Sequence, residues 1–396
     1  KTLANSTTFN PLKKSLMNRL VFLFGLSSAI CLLACAPTNV HKDVESPQTP
    51  VIENTASDFS AEVTIRPGDN VAEIFNNLPS DVRKISFEPG EYIAADTLHL
   101  PRTGGLVIID GNGSDLKLAK MGFFSMPNSK DQAMLYNHTR YLIKDFSTIS
   151  GGEKGVMLGS SFNTVIQNIE FVGQRQAAID LVFCLMCTVQ NILVTNNFHD
   201  GIVLRTGRNI DTKEIEWDRA GVNNSQCNHT EVRSCRVYNR KGCTGTSFKI
   251  LQSSGVRLVN CISEGWPNKR AVYFDALGAT TAKYFTIENF HLEHIPEEGG
   301  LCFRNFGSLI EVDGFFVQQG SATSPVIKIE NNGSYVFRNF PYWPGGAWIA
   351  SSKSPSVVME NCPVGMYKID SYWKNIDKEG EKIFQGYFKA DKMLRP

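Results

Sequence analysis

The chain has almost no net charge. Its 40 Lys and Arg against 39 Asp and Glu leave a formal charge of +1, which excludes bulk attraction to nucleic acid or to an anionic membrane surface. Any acidic ligand must therefore be met by a local patch. The apolar run from Leu20 to Leu33 is shorter than the ~20 residues a helix needs to cross a bilayer. Zinc-type spacing is missing too. Cys184 and Cys187 form a C-x-x-C, but neither a second such pair nor a His pair follows, which argues against a metal site and gives a redox role no support. The Leu-x-x-Leu spacing of leucine-rich repeats is absent, and the internal period is too short for the four strands of a propeller blade. With 42% apolar residues over 396 positions the chain can build one large core or two ordinary ones; length alone does not choose.

The N-terminus reads as a targeting segment. Lys13, Lys14 and Arg19 precede the apolar run, which ends in Leu32-Leu33-Ala34-Cys35. This resembles a bacterial lipoprotein signal in which Cys35 is acylated and becomes the mature N-terminus, with Met17 read as the translational start. The resemblance implies a lipid anchor in the outer membrane and leaves open the periplasmic or cell-surface side. Residues 36–58, rich in Pro, Thr and Ser, read as a flexible tether.

A short phrase, Asn or a stand-in followed by an apolar residue, then recurs through the chain. It occurs at Asn168-Ile169, Asn191-Ile192, Ser234-Cys235, Asn260-Cys261, Asn289-Phe290, Asp313-Gly314, Asn339-Phe340 and Asn361-Cys362. The spacing is 22 to 29 residues except for one gap of 43 between Asn191 and Ser234. Each instance sits in strand-like alternation, and Asn suits a tight bend because it tolerates the left-handed conformation. Three short strands and about 25 residues per turn describe an all-β fold, a single-stranded right-handed parallel β-helix. Residues 59–373 form that domain, with a helix at VAEIFNNLP capping its N-terminal end and 374–396 a C-terminal cap or tail. Cys235, Cys261 and Cys362 take the same place in different repeats and are expected to stack as small buried groups.

Alternation on the strand after each long loop turns Ile179, Leu181, Ile202, Leu204, Phe248, Ile250, Phe274, Leu301, Phe303, Ile327 and Ile329 inward. Asp180, Arg205, Lys249, Tyr273, Asp275, Arg304 and Lys328 then face outward on successive coils, about 4.8 Å apart. The preceding loops add His199 and Asp200, Arg240 and Lys241, Trp266 and Arg270, and His294. The oversized coil carries an insertion with Arg208, Trp217 and His229, which would form one wall of a groove. A solvated charged face with ion pairs such as Asp180 with Arg205 and Lys249 with Asp275 is the plainer reading of the same residues.

The opening IRPGDNVAEIFNNLP, the FEPGEYI segment, the IIDGNGSDL turn and the asparagine-marked coils resemble the pectin-lyase-like β-helix superfamily, over roughly Val63 to Trp373. Together with the lipid anchor, this is similar to the bacterial polysaccharide lyases that act on acidic glycans, pectin-like polymers or glycosaminoglycans. Such β-elimination needs a neutralised uronate carboxylate, a base for the C5 proton and an acid for the departing oxygen. The expected roles are Lys249 or Tyr273 as base, Arg205 and Arg270 as carboxylate clamps, and His199 as proton donor. Arg240, Lys241, Trp217, Trp266, Asp275, Arg304 and His294 would bind the glycan, and a calcium ion could share the neutralising role, although no cofactor is required. Several family signatures are absent: no Asn-Thr-Asp, Asp-Asp and Gly-His-Gly set of polygalacturonases, no Trp-Ile-Asp-His block of pectate lyases, no Asp-rich calcium cluster. A glycoside hydrolase using paired carboxylates and a non-catalytic glycan-binding surface protein are the alternatives, and side-by-side association into trimers is left open.

Overall fold

In the computed structural model the chain divides into Lys1–Ser57 and Asp58–Pro396. The residues described are 61–127, 139–207, 226–266, 268–277, 284–305, 309–319, 324–331, 333–340, 349–351 and 356–361. The signal, the tether, Cys35, Trp217, Cys362, residues 208–225 and the C-terminal tail lie outside them.

Among the described residues every strand pairing is parallel, in a seventeen-stranded sheet and a ten-stranded sheet. Each strand bonds to its equivalent one coil later, as Asp200–Arg205 does to Thr246–Leu251 and that strand to Arg270–Asp275. This is a parallel β-helix. Among the described residues helix is confined to Val71–Asn76, where the Asn70 side chain accepts from the Glu73 N–H at 3.3 Å, an N-cap. The helix buries Val71, Ala72 and Phe75, and the Phe75 ring lies 5.8 Å from Phe123 and 6.5 Å from Phe87. It covers apolar side chains of the first coils, as expected of an N-terminal cap.

The bend within the larger sheet is made by the repeated phrase. Asn168, Asn191, Ser234, Asn260, Asn289, Asn339 and Asn361 all have φ between 52° and 56°, the left-handed region that Asn tolerates better than most residues. The apolar partners among the described residues turn inward: Ile169, Ile192, Cys235, Cys261, Phe290 and Phe340 are buried. At one repeat the reading is a residue out. Glu288 pairs with Asp313 and Phe290 with Phe315, so Gly314 (φ 71°) sits opposite Asn289 and makes the bend. The asparagines bond from coil to coil: Asn168 Nδ2 to Asp145 Oδ1 at 2.7 Å, Asn191 to Asn168 at 3.1 Å, Asn289 to Asn260 at 3.2 Å. Gly314 has no side-chain amide to offer, and Asn339 reaches Asp313 instead at 2.7 Å.

The eleven side chains expected to face inward on the ten-stranded sheet are all at most 1% exposed. Burying each contributes roughly 1.5–3 kcal/mol, and a one-residue slip would expose the set, so the register is strongly specified. Cys235 and Cys261 are buried neighbours in successive coils, as their spacing predicts.

Candidate functional site

With the register fixed, the outward residues of the ten-stranded sheet fall into two files rather than one. Asp180, Val203, Lys249, Tyr273, Cys302 and Lys328 form the first, each pairing with the next along the helix. Val182, Arg205, Leu251, Asp275, Arg304 and Glu330 form the second. Facing outward here does not mean being exposed. Asp180, Arg205, Tyr273 and Asp275 are each at most 9% exposed, so the three charges and the phenol must find partners within the protein.

Compensation comes mostly from one coil away. Asp180 receives Lys154 Nζ at 2.6 Å from the preceding coil and Arg205 from the following one, through Nε at 2.8 Å and Nη2 at 3.2 Å. Burial pushes the Asp180 carboxyl up, but Arg205 and Lys154 more than offset it and hold the group below its ordinary value. Arg270 pairs with Glu298, and its Cζ lies 4.2 Å from the centroid of the Tyr273 ring. Arg304 faces Glu330 at 3.7 Å, and Lys328 meets the same carboxylate at 2.9 Å.

Two acid–base clusters stand on this face. In the first, one buried carboxylate oxygen, Asp200 Oδ2, lies 3.0 Å from Lys249 Nζ and 3.4 Å from His199 Nδ1. The other oxygen, Oδ1, accepts the Thr246 N–H at 2.9 Å. Burial raises the Asp200 carboxyl, yet His199 and Lys249 bring it below its usual value, while the bond to Asp200 raises the His199 imidazole. In the second, Tyr273 Oη donates to Asp275 Oδ2 at 2.7 Å. The remaining oxygen of Asp275 accepts from the Leu277 N–H at 2.8 Å and Asn305 Nδ2 at 3.1 Å. Burial, then the Asp275 charge, drives the Tyr273 phenol well up, so it keeps its proton. Lys249 thus pairs with Asp200 and not with Asp275, whereas the expected Asp180–Arg205 pair is present.

The loops on the N-terminal side of these strands carry a different kind of group. Arg240 lies with Cζ 4.0 Å from the Phe198 ring centroid, and Lys241 Nζ is 5.3 Å from that of Trp266. Among the described residues neither has a carboxylate at ion-pair distance. His294 ends the strand Phe285–His294 of the larger sheet, with Nδ1 3.6 Å from Glu293 Oε2. The insertion leaves the helix directly after Arg205, at Thr206, whose N–H bonds to the Leu251 carbonyl at 3.2 Å. It returns before Cys227, whose Sγ lies 3.3 Å from the Leu181 carbonyl oxygen.

Among the described residues no group of three or more His, Cys, Asp or Glu could hold a metal ion. Asp180, Asp200 and Asp275 are already engaged by cations or hydrogen-bond donors, so this face does not fit calcium as it stands.

Sequence reasoning placed Asp200 in a loop beside the strip without its partner Lys249, and it did not pick out Lys154 or Asn305 as parts of this site. One signal could have found Lys154 and the partner of Arg270. Charges of opposite sign one coil apart recur, as in Lys154 with Asp180 at 26 residues and Arg270 with Glu298 at 28. Asn305 belongs to no such pattern, and Asp200 pairs with Lys249 at 49 residues, across the oversized coil.

Compared with known proteins, the chain matches no family model, no curated protein and no solved structure. Fold and site together define a class: a parallel β-helix that presents internally compensated acid–base clusters on the outside of one sheet.

Proposed function

We propose that the protein is a polysaccharide lyase of the pectin-lyase-like type that cleaves a uronic-acid-containing glycan by β-elimination, lipid-anchored at Cys35 in the outer membrane. The observation that carries this reading is the shared Asp200 oxygen, which brings an imidazole and an ammonium to one carboxylate on the outer face. Base and proton donor are then neighbours by construction. Their environments favour an exchange of the roles expected from sequence. Lys249 faces Asp200, Tyr273 keeps its proton because burial and Asp275 raise its phenol, and His199 supplies an imidazole whose proton affinity Asp200 raises. His199 would remove the C5 proton, the C4–O bond would break, and Lys249 would protonate the departing oxygen. Asp200 bonds to both and offers a path by which the proton returns from imidazole to amine.

Arg270 spends one nitrogen on Glu298 and has donors left for the uronate carboxylate. Arg205 is held by two bonds to Asp180 and nearly buried, which suits a strut rather than a clamp. Incubating residues 58–396 with uronic-acid polymers tests the reading. An unsaturated uronate that absorbs in the near ultraviolet is the expected product; new reducing ends without that absorbance would replace the lyase by a hydrolase. A second reading, a non-catalytic acidic-glycan binder, is favoured by the internal partners of all three buried carboxylates. It predicts retention of the polymer without either product.

A further inference from the structure

Among the described residues two cations stand apart from the charge compensation on the rest of this face. Arg240 and Lys241 follow Asn239, the last residue of the strand Arg236–Asn239, and each lies along an aromatic ring instead of a carboxylate. An aromatic face attracts a cation without neutralising it, so both positive charges persist, one at Phe198 and one at Trp266. Both rings are accessible, at 41% and 52% exposure.

The turn that presents them is fastened from below. Cys243 N–H bonds to the Arg240 carbonyl at 3.1 Å, closing a tight turn that requires φ of +80° at Gly242. The buried Asn239 amide donates to Ser247 Oγ at 3.2 Å, and the Trp266 N–H donates to the Asn239 carbonyl at 3.0 Å. Asn197 Nδ2 and Cys243 Sγ both reach the His199 carbonyl, at 2.7 and 3.3 Å. The rim is therefore built on the same backbone that positions His199.

We infer that Phe198, Arg240, Lys241 and Trp266 form an anionic-sugar subsite next to His199, in which the two cations grip a carboxylate or sulfate ester of a pyranose resting on Trp266. This deepens the acidic-glycan reading and rests on it for the ligand class, not for the reaction. An anionic group with several acceptor oxygens can take donors from Arg240 and Lys241 together, while the apolar face of the sugar covers indole. The subsite would then make the enzyme select for charge on the sugar next to the one that reacts.

The test is binding, measured by calorimetry with residues 58–396 and oligosaccharides of hyaluronan, chondroitin sulfate and dextran. Hyaluronan carries carboxylates only, chondroitin sulfate adds sulfate esters, and dextran is neutral. The double variant Arg240→Ala/Lys241→Ala is expected to lose roughly tenfold or more in affinity for the charged ligands, the loss of two charge-assisted hydrogen bonds. Its unfolding midpoint should stay that of the parent, since both side chains are exposed. Trp266→Ala should weaken binding and Trp266→Phe restore part of it. Tighter binding of chondroitin sulfate than of hyaluronan identifies the group as a sulfate ester, and equal binding identifies a carboxylate. Unchanged affinity in the double variant, dextran bound as well as hyaluronan, or none of the three bound would each overturn the subsite. If the parent binds through these residues yet releases no unsaturated product, the subsite stands and the lyase reading falls.

Discussion

Asp200→Asn is the most informative single perturbation. The substitution keeps the shape and the acceptor for the Thr246 N–H but replaces the oxygen shared by Lys249 and His199 with a donor. Removing one partner of a buried ion pair typically costs about 3–5 kcal/mol. The Lys249 side chain is 23% exposed and can turn to water, which brings the expected loss to about 2–3 kcal/mol. The His199 side chain, 46% exposed, adds only the ~0.2–1 kcal/mol of a screened pair. The two contributions separate by pH. The imidazole is raised in the fold, so its contribution is complete below its unfolded value near 6.5 and fades as pH climbs through the folded value. Asp200 is lowered, so its contribution is present above about 3.9 and lost as acid reaches the folded value. The stability gap between parent and variant should therefore be widest from about pH 4 to 6.5 and narrower at pH 8.5. Urea unfolding at pH 5.5 and 8.5 measures it, and NMR titration of His199 should show its pKa falling in the variant. A gap under about 1 kcal/mol, or the same gap at both pH values, would refute the shared-carboxylate account.

Other substitutions probe separate parts of the argument. Tyr273→Phe removes a donor from the buried Asp275 but leaves the Leu277 N–H and Asn305 in place, so a loss of about 1–2 kcal/mol is expected in urea unfolding; no loss would mean the phenol is not needed to satisfy that carboxylate. Gly314→Val should cost about 2–3 kcal/mol because a β-branched residue is forced to positive φ, while Gly314→Asn should cost clearly less by joining the asparagine ladder. The reverse order in thermal unfolding would contradict the ladder. Burial raises the thiols of Cys243 to about 11 and Cys302 to about 12, so neither should react with a thiolate-selective reagent at pH 8 until the protein unfolds. Peptide mapping of labelled native protein checks this.

The fold was legible because a β-helix repeats one local decision. A bend needs a residue that accepts positive φ, the next position must be apolar, and both requirements appear in sequence at the coil period. The slip at Asp313-Gly314 shows how local the signal is. Aspartate resembles asparagine on paper, but glycine takes the left-handed bend at less steric cost, and the strand register obeys the backbone. The direction of each side chain on the smaller sheet was equally legible, since the alternation of two leaves no third choice once the core is full. What alternation could not supply was who partners whom. Lys249 is two residues from Leu251, which lies beside Asp275 in the next coil, yet its ammonium reaches back to Asp200 at the start of the preceding strand. That choice depends on side-chain reach along the strand and on a 43-residue coil that breaks the period. The same reach decides which groups share a carboxylate: a lysine on Asp275 would have met Tyr273 there, whereas Lys249 on Asp200 stands with His199 and leaves Tyr273 alone to donate to the Asp275 oxygen Oδ2.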